Sequence, residues 1–216
     1  MSNIGGMQRV ATELHAALEE REDVAMRTVA LRSSWKWVYV RAVPFLVGLA
    51  GRLGREAKRF DADTILFTSM TTALPLLIAG PALKKSGIRL ATIVHGLDVT
   101  DPNPAYQLAV RRLCQLLDAA MPVSRATAEE LVARGLPREK VHVVPNAVDL
   151  DRFEEPARPN PAGFPKTRSS SSHGDTQPLQ NLNYSRYLQT QTRTLSALPR
   201  PESGGRRKCA FGFVGG

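Results

Sequence analysis

His95 stands in the stretch "IVHGLDVT", with Gly96 directly after it and an acid, Asp98, three residues on. An imidazole beside a glycine can hydrogen-bond a polar ligand that glycine allows to come close, and it can equally be bonded to neighbouring backbone. Asp98 can cap the segment that follows or face a cleft. His15, His142 and His173 have no ligand-like spacing with His95, so a metal site is not expected. Ser124 follows "AAMPV", and Asn146 and Asp149 lie in "VPNAVDLDRF", where they suit either a ligand or a cap and turn. At the start, Gly5-Gly6 precedes Met7, Val10, Leu14 and Leu18, which recur at helical spacing. Paired glycines at the mouth of a helix can admit an anion to its amide groups; they also suit an ordinary flexible terminus. There is no GxSxG elbow, no complete GxGxxG and no GxxxxGK[ST], so serine-hydrolase, dinucleotide and P-loop readings have no support.

These residues fall at the junctions of a regular alternation. Val24–Leu31, Ala62–Ser69, Arg89–Gly96, Ala119–Ser124 and Lys140–Asn146 read as strands. Between them, Val38–Phe60 reads as a helix interrupted by Pro44, Thr71–Lys85 as one bent or broken at Pro75 and Pro81, and Ala105–Leu117 and Ser124–Arg134 as two more. Continuous apolar strands separated by helices predict an α/β fold: a Rossmann-like parallel sheet with helices on both faces. Ligands of such sheets bind beyond the carboxyl ends of the strands, which is where His95, Ser124 and Asn146 stand.

The net charge of +9 invites a nucleic-acid reading, but residues 157–216 hold 9 Lys/Arg against 2 Asp/Glu, leaving 20 against 18 in residues 1–156. A balanced domain with a basic tail and no nucleic-acid motif is not expected to bind DNA or RNA. The two cysteines, Cys114 and Cys209, are far apart and outside any CxxC, which fits a reducing compartment. Neither "AVPFLVGLAG" nor "TTALPLLIAGPAL" reaches the roughly 20 residues needed to span a bilayer, and no signal peptide is visible. A cytoplasmic protein is expected.

Taken in order, "GGMQRVATELHAAL", "IVHGLDVT", "VSRATAEELVARGLPREKVHVVPNAVDLDRF" and a final "FGFVGG" resemble glycosyltransferase family 4, retaining transferases of the two-domain GT-B fold. The resemblance covers residues 4–153 and is strongest from Val123 to Phe153. It implies a nucleotide-diphosphate sugar donor, a sugar or lipid-linked acceptor, and no metal or other cofactor for catalysis. It implies that Gly5 and Gly6 approach the donor diphosphate and that His95 is the catalytic histidine, with Asp98 nearby as a substrate-binding residue. Ser124, Asn146 and Asp149 would line the cleft as substrate-binding residues, with Ala147 where the family usually has glycine.

Two departures stand beside the match. The family's opening apolar strand is not seen before the glycines, and "FGFVGG" resembles the first strand of the second, donor-binding domain. The expected organisation is an N-terminal glycosyltransferase domain over residues 1–155, a polar, basic, disordered tail over 156–208, and the start of a missing second domain over 209–216. On that reading the chain is the acceptor-side domain and is inactive alone; the alternative is a non-catalytic α/β binding or interaction module. Residues 34–60 join Trp35, Trp37 and Tyr39 to six Lys/Arg, a composition suited to peripheral docking on an anionic membrane at its inner face. The same aromatics and leucines could instead pack on the sheet.

Overall fold

The computed structural model describes residues 6–32, 37–145 and 207–215. Five strands form one wholly parallel sheet: β1 (Val24–Arg32), β2 (Thr64–Phe67), β3 (Arg89–Val94), β4 (Ala119–Pro122) and β5 (Arg207–Gly215). The spatial order is β1-β5-β2-β3-β4. Both faces of the sheet are apolar, as continuous apolar runs require, and each supports its own core. On one side Leu14 and Leu18 of α1 (Gly6–Glu19) meet Leu66, Ala91, Ile93 and Met121. On the other, α2 (Val38–Phe60), α4 (Leu76–Lys85), α6 (Pro104–Leu116) and α7 (Arg125–Ala133) bury residues such as Leu53, Leu83, Leu113 and Leu131 against Phe67, Leu90 and Val94. The short helices α3 (Met70–Ala73) and α5 (Gly96–Thr100) stand between strand ends and these longer helices.

The predicted strands and helices appear with small shifts at their ends, and the exceptions have local causes. Pro44 does not interrupt α2. A proline deprives the carbonyl four residues back, here that of Val40, whose 65% exposure leaves it open to water. Pro75 does break the 71–85 segment, dividing α3 from α4, whereas Pro81 is carried inside α4. The expected strand at 140–146 reaches only one parallel bridge, Val141 to Ala120. Amide donations from His142 to Ala120 and from Val144 to Pro122 hold it along β4. α7 ends at Gly135, whose φ of +94° is cheap only for glycine.

The closing residues join this sheet. Arg207–Gly215, read from sequence as the end of the tail and the beginning of a second domain, pairs with β1 over nine residues and with β2 over four. It is the second strand from the β1 edge. The Lys208 amide donates to the Asp63 carboxylate at 3.0 Å, and the Asp63 amide donates back to the Lys208 carbonyl at 3.0 Å. β5 also touches α1. The tail assignment for 156–206 falls outside the described residues. Among the described residues no helix is long and apolar enough to cross a membrane.

Candidate functional site

Three strands end in the same way on one edge of the sheet. β2 leads through Thr68 to Ser69, β3 to His95, and β4 through Val123 to Ser124, and each of these last residues is the N-cap of a helix. A parallel strand that turns directly into a helix leaves the helix's first amides without partners, and short polar side chains at the junction satisfy them. The Ser69 hydroxyl accepts from the Thr72 amide at 3.1 Å, and the Thr72 hydroxyl accepts from the Ser69 amide at 3.1 Å. The Ser124 hydroxyl accepts from the Thr127 amide at 3.1 Å and lies 2.9 Å from the Thr127 hydroxyl.

Between these two caps sits the pair at the centre of the site. The Asp98 carboxylate oxygen Oδ2 accepts the His95 amide at 3.0 Å and the Met70 amide at 3.3 Å. One carboxylate therefore joins the start of α5 to the start of α3 and fixes the distance between the ends of β2 and β3. The His95 ring donates through Nε2 to the Thr68 carbonyl at 3.3 Å. That acceptor has no proton to give, so Nε2 carries the hydrogen and Nδ1 is the ring's remaining acceptor. Both readings of His95 meet in this geometry: the ring is bonded to neighbouring backbone, and it stands at the carboxyl edge where a ligand would bind.

Both side chains are 7% exposed, and burial governs their charge. It pushes the His95 imidazole below its ordinary value, against the pull of the Asp98 charge and the bond to Thr68. It also pushes the Asp98 carboxyl up, against the His95 and Met70 groups that favour the anion. At neutral pH the imidazole is uncharged. A neutral ring with Nε2 committed can accept a hydroxyl proton at Nδ1 but cannot act as a fixed cation. Tyr106 of α6 closes the cluster, its phenol 3.3 Å from the Thr71 hydroxyl and pushed up to about 12 by burial.

The structure thus brings His95, Asp98 and Ser124 to one edge, with Gly96 between them. A Cβ on Gly96 would stand 3.8 Å from the Thr127 hydroxyl, so α5 and α7 approach closely there. Gly6 opens α1, whose short connection to β1 puts its first turn at the same edge of the sheet. Gly5, Asn146 and Asp149 lie outside the described residues. Sequence reasoning missed Thr68, Ser69 and Tyr106. The signal for Ser69 was present in "TSMTT", where a serine ending a strand precedes a threonine by three residues. Tyr106 had no such signal, since its place follows from how α6 packs over α3.

With this geometry in place, comparison with known proteins is informative. The family described as Glycosyltransferase Family 4 matches residues 4–152, more than half of the chain. WcaL of Escherichia coli (strain K12), which carries the name of a colanic acid biosynthesis glycosyltransferase, is 27% identical over 164 residues, covering 70% of this chain and 37% of WcaL. A protein of Mycolicibacterium smegmatis (strain ATCC 700084 / mc(2)155) named as a GDP-mannose-dependent alpha-(1-6)-phosphatidylinositol monomannoside mannosyltransferase is 29% identical over 129 residues, covering 59% of this chain and 32% of that protein. The chain therefore spans about a third of the length of these curated relatives.

Proposed function

The chain belongs to glycosyltransferase family 4, and from that premise we propose that it is the acceptor-side part of an enzyme that moves a sugar from a nucleotide-diphosphate donor to an acceptor with retention. The observation that carries the reading is the cluster of Ser69, His95, Asp98 and Ser124 at the carboxyl ends of three adjacent parallel strands, inside the stretch the family matches. In the proposed reaction the bond between the sugar's anomeric carbon and the donor phosphate oxygen breaks. The acceptor oxygen bonds that carbon from the same face, and the acceptor proton passes to the departing phosphate. Neutral His95 holds a sugar hydroxyl at Nδ1, while Asp98 fixes the loop that carries it. Gly5, Gly6, Ser124, Asn146 and Asp149 are the proposed substrate contacts. No metal or other cofactor enters the proposal. The lengths of the two relatives support a donor-binding half outside this chain, and the chain alone is then inactive, because the leaving diphosphate needs stabilising groups from that half. The proposed location is the cytoplasm, at the inner membrane face when the acceptor is lipid-linked.

The test is to extend the reading frame at both ends, express the longer chain, and assay nucleoside diphosphate release across a panel of nucleotide sugars. We expect transfer by the extended chain with the donor's anomeric configuration preserved in the product by NMR, and none by the 216-residue chain. Absence of transfer with every donor, despite a folded extended chain, would instead favour a non-catalytic binding module.

A further inference from the structure

The turn that carries the site is too short to hold itself. α5 has five residues, a length at which a helix closes on almost no bonds of its own. Its start is secured by Asp98, through the amides of His95 and Met70. Its last carbonyls need donors from elsewhere, and the chain that follows, "DPNP", cannot supply them. Pro102 and Pro104 have no N–H. The Asn103 amide donates to the Asp101 carboxylate at 2.8 Å, and the amides of Ala105 and Tyr106 donate to the Asn103 side chain at 3.0 and 3.2 Å. The Gln107 amide donates to the Asn103 carbonyl at 2.9 Å. Every position from 102 to 107 is thus a proline or has its amide committed.

The missing donor is a side chain in the first turn of α6. Gln107 Nε2 donates to the Val99 carbonyl at 3.0 Å and to the Asp101 carbonyl at 2.6 Å. Its Oε1 accepts from Arg134 Nε at 2.8 Å. A primary amide has its protons on one atom and its lone pairs on the other. Two carbonyls on one side and a guanidinium on the other therefore leave it a single orientation. Arg134 is itself fixed, since its Nη1 donates to the Glu130 carbonyl at 2.9 Å and to the Glu130 carboxylate, one turn back on α7. Its side chain is only 17% exposed. A line of hydrogen bonds runs from the end of α7, through α6, to the end of α5. The apolar packing of α6 and α7, through Val110, Leu113 and Leu131, is separate from it. What the line satisfies is the α5 turn.

We propose that Gln107, oriented by Arg134, is the positioning residue that holds the α5 turn closed, and with it the His95 ring at the carboxyl edge. Asp98 sets where the turn begins and Gln107 sets where it ends. Without the Gln107 amide, two carbonyls beside Pro102 are left to water and the turn opens from its end. The inference rests on the transferase reading for its purpose: a ring that meets a sugar hydroxyl has to be held in place, and a displacement of about 1 Å can cost a hundredfold in rate.

Backbone hydrogen exchange on the 216-residue chain, read by mass spectrometry, tests the tether without any donor or acceptor. Gln107→Glu keeps the length and the bond to Arg134 but has no proton for either carbonyl. It should speed exchange in peptides covering residues 96–101 about tenfold and leave β3 and the interior of α6 at wild-type rates. Arg134→Met keeps the two protons but lets the amide turn over, and should speed the same peptides about threefold. Arg134→Lys, which can still donate to Oε1, should stay nearer wild type. Gln115→Glu, the same replacement at an exposed position of α6, should change nothing. The His95 imidazole gives a second readout. Its NMR titration, assigned by the signal lost in His95→Gln, should move toward the ordinary histidine value in the uncharged Gln107→Leu, because water reaches a ring that burial had held down. A merely structural role would lower the melting temperature and leave that titration in place. Wild-type exchange in Gln107→Glu, exchange raised uniformly through sheet and helices, or an unmoved His95 titration in Gln107→Leu would each overturn the proposal. In the extended enzyme Gln107→Leu should lower kcat about tenfold or more, and an unchanged kcat would count equally against it. No transfer by the extended wild-type enzyme, beside the expected exchange and titration on the shorter chain, would sink the transferase reading and leave the tether standing, so the two failures are distinguishable.

Discussion

Cys209 reports on the strand that sequence placed elsewhere. It lies opposite Met26 on one side and Thr64 on the other, in a strand paired along both edges, and it is 4% exposed. A thiol reagent can reach it only when β5 leaves the sheet, and β5 cannot leave without separating β1 from β2. Opening therefore costs close to the whole stability of the domain, at least about 5 kcal/mol, which slows labelling about a thousandfold or more against the denatured chain. Phe211→Pro removes an amide in the middle of β5, at the level of Thr28 and Leu66, and leaves a partner carbonyl buried without its donor. The expected cost of about 2–3 kcal/mol should speed Cys209 labelling about thirty- to a hundredfold. Iodoacetamide labelling followed by peptide mass spectrometry reads Cys209 and Cys114 in one experiment. Cys114 is the internal control, fully buried, with its thiol pushed up to about 11 by that burial. Modification of Cys209 at the denatured rate while Cys114 stays protected would refute the reasoning and return 209–216 to a second domain.

Two further outcomes concern the site. Asp98→Ala orphans the buried amides of His95 and Met70 and should lower stability by about 3 kcal/mol in urea melts, whereas Asp98→Asn, which keeps an acceptor oxygen, should cost less than half as much. His95 titrates lower in the folded chain than in the unfolded one, so between its folded value and about 6.5 the unfolded chain binds more protons and stability rises with pH. Asp98 titrates higher when folded, so it contributes the opposite slope, with stability falling as pH rises from about 3.8 through its folded value. In urea melts from pH 5 to 7, His95→Gln should remove the part of the wild-type slope that rises with pH and leave the opposing part from Asp98. An unchanged slope in the variant would assign it to another group.

The parallel sheet was readable because β2, β3 and β4 are short apolar runs, and both faces of a doubly covered sheet demand such runs. What was not readable was neighbour relations. "CAFGFVGG" carries the local pattern of a short strand, and residues 209–215 are part of one. Pairing with β1 and β2 is a contact across about 145 to 185 positions of chain, which no local pattern encodes. The same holds for Pro44. A proline in a helical run predicts a break from its own chemistry, and whether the break occurs depends on whether water can reach the deprived carbonyl, a property of the packed helix.

The site divides along the same line. His95, Asp98 and Ser124 could be found because a strand ending in a capping residue is a local event, and the rule that ligands bind at carboxyl ends then selects among such events. The bond from His95 to Thr68 and the bond from Asp98 to Met70 span 27 and 28 residues and hold together the packing whose burial keeps a histidine of open role neutral. Charge shows the limit most plainly. Summed along residues 1–156 it is nearly neutral, because the basic helices α2, α4 and α6 are interleaved with acidic and balanced segments. Right-handed crossovers in a sheet that grows in one direction put those helices on one face. Topology thus converts an alternation in sequence into a polarised surface.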